Sequence, residues 1–261
     1  MPRFAFLLSI AILSASLPAI ADVAPDVAAK ITQADELRMK EWDQDGKPQA
    51  ALDLYDAALK GGADGYEMHW KKAATYFWWG EALDPDKDGA KLADLGQKCI
   101  AEAEQAASLK PDAVEGNYYV AVCWGEYSHG ISIIKALSKG VEGKFKGALD
   151  KAMKIDADFY DGGPLNAYGR FYYELPWPKR DLAKSEEYLA RNIKDTPCNL
   201  RTRVYYAETL IKKGGKADGK DAKDVAKEQL QYVLANPHCA SNPPDGEMQK
   251  AKAKKILDGL K

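Results

Sequence analysis

Pairs of small residues recur along this chain at the spacing at which two α-helices touch. Trp70, Ala73, Ala74 and Phe77 put a bulky residue, two small ones and an aromatic on one helical face. Cys99, Ala103 and Ala106, stopped at Pro111, supply a second helix of matching character. Asn117, Val120, Ala121 and Trp124 repeat the first spacing, and Phe145, Leu149 and Ala152 repeat the second. Ala51, Tyr55 and Ala58 match earlier in the chain. Small side chains let helix backbones approach, and bulky ones fill the groove beside them. A single hairpin of this kind cannot bury its apolar face alone, so the pattern calls for stacked neighbours.

Helical periodicity runs almost from end to end. It predicts helices over 28–42, 50–59, 66–82, 92–109, 113–127, 131–137, 145–155, 165–175, 182–193, 200–212, 225–234 and 248–260. The connections are short and carry Gly, Pro and Asp, and no segment alternates as a strand would. The spacing is that of tetratricopeptide repeats, but the period is irregular. Ala51 to Cys99 spans 48 residues, Cys99 to Phe145 spans 46 and Phe145 to Ala183 spans 38, against roughly 34 for a regular repeat. Insertions are therefore expected at Asp84–Gly89 and Ser138–Gly143. The fold class is all-α: an irregular tetratricopeptide-like α-solenoid of antiparallel helical hairpins. It forms a single domain over 22–261, with Met248 to Leu260 as C-terminal capping helix.

The first twenty-one residues read as an address. Arg3, the apolar run Phe4–Leu17 and the small-residue pattern Pro18-Ala19-Ile20-Ala21 make a secretory signal peptide, cut after Ala21. The apolar run falls short of the roughly 20 residues that span a bilayer, and no cysteine follows the cut to carry a lipid. The expected location is periplasmic or secreted, with no membrane anchor. Export permits disulfides, and the four cysteines allow three pairings. Cys99 lies twelve residues before Pro111 and Cys123 twelve after it, side by side in an antiparallel hairpin. The midpoint of Cys198 and Cys239 falls between Asp218 and Gly219, inside the loop 214–220. The expected bridges are Cys99–Cys123 and Cys198–Cys239, each contributing on the order of 3–4 kcal/mol.

Other chemistry is sparse. Basic residues number 37 against 39 acidic, a net charge of −2, which gives no electrostatic case for nucleic acid. The three histidines, His69, His129 and His238, sit in no catalytic motif. Asp84, Asp86 and Asp88 followed by Gly89 begin like a calcium loop. The bidentate acid expected eleven residues after Asp84 is Leu95, so the bland reading is an acidic loop with Asp88 as a helix cap. No metal and no cofactor are expected. Basic runs after Lys212 and Lys250 alternate with Asp and Ala and read as solvated faces.

The aromatics are unevenly spread: five of the six Trp lie between 70 and 177. In a repeat solenoid the first helix of each pair lines the concave face. If Ala74 is the packed small residue, Trp78 and Trp79 lie one turn further along, and the same argument places Tyr118, Tyr168 and Tyr172 on that face. Trp78, Trp79, Tyr118, Tyr168 and Tyr172 are therefore the candidate ligand- or partner-binding residues. A surface of this kind suits an extended partner segment or a small apolar ligand.

One stretch carries a narrower resemblance. Asp161-Gly162-Gly163-Pro164, Tyr168-Gly169-Arg170, Leu175-Pro176-Trp177-Pro178, then Leu182, Tyr188, Leu189 and Ala190, together with Arg203-Val204-Tyr205-Tyr206-Ala207-Glu208, resemble the TatT family. These are the tetratricopeptide-like T components of TRAP transporters. The resemblance is strongest over 160–235 and holds only at repeat level over 50–155. It implies a periplasmic helical-repeat protein working beside the extracytoplasmic substrate-binding protein of a small-ligand importer. It brings no catalytic motif, so a non-enzymatic role is expected. The alternative is a general cell-envelope scaffold of tetratricopeptide type unrelated to transport. An enzyme is the weakest reading.

Overall fold

The structure, a computed structural model, describes residues 23–260; the expected signal peptide at 1–21 lies outside them. Twelve helices follow in order among the described residues: α1 (Pro25–Lys40), α2 (Lys47–Lys60), α3 (Gly65–Glu81), α4 (Pro85–Leu109), α5 (Val114–Ile131), α6 (Ile133–Ser138), α7 (Val141–Ile155), α8 (Phe159–Glu174), α9 (Leu182–Asp195), α10 (Leu200–Lys213), α11 (Ala222–Ala235) and α12 (Pro243–Gly259). Between α10 and α11 a two-residue ladder, β1 (Lys216–Ala217) with β2 (Lys220–Asp221), folds the expected loop into a small hairpin. None of these helices is long and apolar enough to cross a membrane.

Local chemistry explains the boundaries. Asp64, Asp181, Asn199 and Asp221 each accept a backbone N–H at the start of α3, α9, α10 and α11, which satisfies donors with no partner inside the helix. Proline opens α1, α2, α4 and α12, where its missing N–H costs nothing. Neither expected insertion is a free loop. Asp84–Gly89 forms the first turns of α4, bent at Asp88 (φ −107°, ψ 17°). Asp84, not Asp88, is the cap, accepting from Asp86 N at 3.0 Å while Lys87 Nζ sits 3.1 Å from its carboxylate. Ser138–Gly143 shrinks to the two residues Lys139 and Gly140, the latter at φ 72°.

Consecutive helices pack as antiparallel hairpins, and the repeat residues sit where the spacing placed them. Ala51, Ala58, Ala73, Ala74, Ala103, Ala106, Ala121 and Ala152 are all fully buried. The most extensive helix pair is α4 with α5. A Cβ at Gly96 would stand 2.7 Å from Tyr127 N, and one at Gly130 would stand 2.4 Å from Ala93 N. Only glycine lets the two backbones approach so closely. Cys99 and Cys123 bridge the middle of this pair, with Cα atoms 5.5 Å apart. Cys198 and Cys239 are also bonded, Cα to Cα 5.0 Å. They lie not within the last hairpin but just outside it, before α10 and after α11, where Cys239 N also donates to Cys198 O at 3.2 Å.

An open solenoid would keep its two ends apart. Here α12 packs on α10 and α11, as a cap should, and also reaches α1. Trp42, 1% exposed in the turn after α1, donates its indole N–H to Asn242 Oδ1 at 2.9 Å across 200 residues of sequence. The two ends of the superhelix therefore meet, and its concave face becomes a pocket between them.

The close approach of α4 and α5 is testable. Gly96→Ala is expected to destabilise by about 1–3 kcal/mol in urea unfolding, because the added methyl overpacks against backbone. Gly147→Ala, whose Cβ would meet nothing within 4 Å, is expected to be neutral or up to about 1 kcal/mol stabilising.

Candidate functional site

The interior is a cavity of about 150 Å³ walled by α3, α5, α6, α7, α8 and α10, with His238 and Asp245 from the C-terminal segment. Its two ends differ in chemistry. Phe77, Val122, Ile133, Val141, Phe145 and Phe171 make an apolar half. Glu81, Glu126, His129, Arg170, Arg201 and Asp245 gather at the other.

Arg201 organises the polar end. It is 7% exposed. Its Nε donates to both oxygens of Asp245 at 3.1 Å, and Nη2 donates to Oδ1 at 2.6 Å. Nη1 pairs with Glu81 on α3 and donates to Tyr205 Oη at 2.9 Å. The guanidinium also lies 5.1 Å above the Trp78 ring. One side chain thus ties α3, α10 and α12 together through charge-assisted bonds. Trp78 in turn contacts Trp42 at 5.4 Å and Tyr160 at 5.8 Å between ring centroids.

Glu81 and Glu126 share a hydrogen bond. Burial pushes Glu81 upward, but the Arg201 charge and the bond from Glu126 outweigh it and hold Glu81 down to about 2. Burial, then the Glu81 charge, push Glu126 well above the ordinary carboxylate range. Glu126 is therefore the protonated donor and Glu81 the ionised acceptor. Gly80 makes room for this pair: a Cβ there would stand 2.9 Å from Glu126 Oε2. Burial lowers His129 and His238, so both imidazoles are neutral. His238 Nδ1 accepts the Leu200 N–H at 3.1 Å, which leaves its proton on Nε2, facing Asp245 at 3.6 Å.

A strained turn shapes the remaining wall. Tyr160, Asp161 and Gly162 all have positive φ (53°, 59° and 77°) at the start of α8. Asn199 Nδ2 donates to Asp161 O at 2.8 Å, and Asn192 Nδ2 donates to Gly162 O at 3.1 Å. Such a conformation persists only where its surroundings hold it. The turn aims Tyr160 into the cavity and brings Gly163 against Tyr118, where a Cβ would be 2.9 Å from the phenol. Asn166 is 7% exposed, lines the cavity, and its Oδ1 has no hydrogen-bond partner.

Of the five aromatics expected on the concave face, Trp78 and Tyr118 line this cavity. Trp79, Tyr168 and Tyr172 do not. Trp79 is half-buried, with Lys91 Nζ 5.2 Å from its ring. Tyr168 and Tyr172 stack with Tyr188 of α9, at 4.9 and 5.9 Å, because the inward stripe of α8 runs through Gly163, Asn166, Ala167, Arg170 and Phe171 instead. The charged members of the wall are absent from the sequence-based set. One signal for them exists: α5 carries only two acids, and Glu126 sits amid its apolar run. Asp161, Cys198 and Cys239 stand close enough to suggest metal ligands, but both sulfurs are spent in a disulfide.

A family model described as regulator of microtubule dynamics protein 1-3 matches residues 30–186. The chain belongs to that family. The match spans α1 to the first part of α9, so it takes in Glu81, Glu126 and Asn166 but neither Arg201 nor Asp245. A crystal structure of a thermophilic TPR protein from Thermus thermophilus superimposes with a TM-score of 0.59 at 17% identity, covering 87% of this family member and 98% of that chain. That likeness shows the tetratricopeptide-type fold. No curated protein matches.

Removing Arg201 strands two buried carboxylates. Arg201→Ala is expected to destabilise by about 3–5 kcal/mol. Glu126 predicts a pH signature. The unfolded chain ionises it near its ordinary value of 4.5, whereas the folded chain keeps it protonated. Its contribution is therefore full below that value and falls as pH rises toward its folded value. Glu126→Gln is expected to match the parent near that lower limit and gain on it by up to about 1.4 kcal/mol per pH unit above, measured by urea unfolding across pH.

Proposed function

We propose that this chain is an exported, non-enzymatic helical-repeat protein that docks a partner protein and holds a small ligand in its interior. Its functional setting is that of a TRAP-type importer accessory, the partner being the extracytoplasmic substrate-binding protein. The cavity carries the ligand reading. A concave space of about 150 Å³, walled mostly by aromatic and apolar side chains with a few polar groups among them, has the character of a small-ligand site. Three polar groups of wall residues, Trp78 Nε1, Tyr160 Oη and Asn166 Oδ1, are buried without partners, and a guest would satisfy them.

The residues that resemble TRAP T components support the reading by what they build. Gly162 completes the strained turn at the cavity wall, and Gly163 lets that wall close on Tyr118. Gly169 lets α9 approach, since a Cβ there would stand 2.4 Å from Leu189 Cγ. Trp177, in the loop between α8 and α9, is 86% exposed. An indole so placed is a ready anchor for a partner surface. Two disulfides accord with an extracytoplasmic location.

Two measurements test this. Native mass spectrometry of protein purified without denaturant is expected to show a bound small molecule; a clean apo mass would overturn the ligand reading. Affinity capture with the substrate-binding protein of a TRAP importer from the same genome is expected to yield a micromolar complex, weakened by about 2 kcal/mol or more in Trp177→Ala. No complex at that concentration would leave the envelope-scaffold alternative in its place.

A further inference from the structure

The charges around the cavity select among ligand classes. Both arginines that line it are already satisfied. Arg201 is held by Glu81 and Asp245, and Arg170 by Glu174 and by Glu208, the latter at 2.8 Å. Lys252, behind Arg170, is spent on Glu208 at 3.1 Å. The histidines of the wall are neutral. A carboxylate guest would therefore find no uncommitted cation, and it would bring a further negative charge beside Glu81 and Glu126.

Of the groups left over, Trp78 Nε1 and Tyr160 Oη are buried hydrogen-bond donors without an acceptor, and both are neutral. Among the described residues no cation stands within ion-pair distance of Glu126, which is 5% exposed and whose bond goes to another carboxyl. Asn166 Oδ1, on the facing helix α8, is a buried carbonyl oxygen without a donor. The rings of Phe77, Tyr118 and Phe171 stand in the same wall, and aromatic faces attract cations. Beyond them lies the apolar half around Val122 and Phe145.

We propose that the cavity takes a small organic amine, its ammonium group bound between Glu126 and Asn166 Oδ1 and its apolar body lying along Val122, Phe145 and Phe171. This deepens the ligand reading above and rests on it. Binding an ammonium requires Glu126 to give up the proton it shares with Glu81. That proton passes to solvent, and the ammonium replaces it as the donor between the two acids. The amine then neutralises a charge that the protein by itself leaves to a proton.

The test uses three soluble probes of equal length: hexylamine, hexanoate and hexan-1-ol. Binding to the full exported chain is followed by calorimetry and by tryptophan fluorescence, since Trp78 forms part of the wall. Hexylamine is expected to bind at least about tenfold more tightly than either of the others, the worth of one charge-assisted hydrogen bond. Glu126→Gln is expected to remove that advantage while leaving hexanol affinity and the melting temperature at neutral pH no lower than the parent's. Asn166→Asp, which adds a carboxylate of the same shape to those of Glu81 and Glu126, is expected to tighten hexylamine several-fold. Hexanoate or hexanol binding as well as hexylamine, or Glu126→Gln leaving the amine unaffected, would overturn the amine assignment and leave the cavity as an apolar site. Failure of all three to bind at millimolar concentration would overturn both.

Discussion

A single buried guanidinium decides the shape of this molecule. Helical hairpins stacked by tetratricopeptide-type contacts wind into an open superhelix, because each pair touches only its neighbours. Arg201 breaks that one-dimensional logic. It reaches Glu81, 120 residues earlier, and Asp245, 44 residues later, and its guanidinium lies 5.1 Å from the centre of the Trp78 ring. Buried ion pairs add little net stability against an apolar filling. What they add here is position: the bidentate geometry with Asp245 accepts one arrangement of α12 against α10. The Trp42–Asn242 bond then secures the same closure from the other end.

Closure changes the meaning of the concave face. In an open solenoid that surface would be a groove for an extended peptide. Here it is a small two-ended chamber, apolar toward α6 and α7 and charged toward α10 and α12. The Arg201 charge also divides the two neighbouring acids into unequal roles. Glu81 stays ionised and Glu126 keeps the proton, as environment pushes apart the affinities of paired groups. A chamber whose cations are all committed, and which holds a buried carboxyl with no cation beside it among the described residues, offers most to a guest that brings a positive charge.

Much of this architecture is legible in the sequence, and the rest is not, for physical reasons. The helices and their hairpins follow from periodicity, capping residues and the alanines at every contact, all of which are local. The Cys99–Cys123 bridge follows from counting outward from Pro111. Asp84–Gly89 reads as a loop because three aspartates and a glycine resist helix interiors. Yet Pro85 is a good first residue, and Asp84 caps the helix it opens. Trp78 is legible as an inward residue; Tyr168 and Tyr172 look equally inward, since a small rotation of α8 is all that turns them onto Tyr188. The partners of Arg201 cannot be read from a single sequence, because nothing local relates position 81 to 201 or 245.

The claim that everything else depends on is the closure of the superhelix. The indole N–H of Trp42 reports it directly, since its acceptor lies on the far end of the chain. Hydrogen exchange at that proton, followed by NMR, is predicted to be as slow as the most protected amides of α4 and α5. In Arg201→Met it should exchange much faster while those amides keep their protection. Rapid exchange of the Trp42 indole in the unaltered protein, with α4 and α5 still protected, would contradict the account.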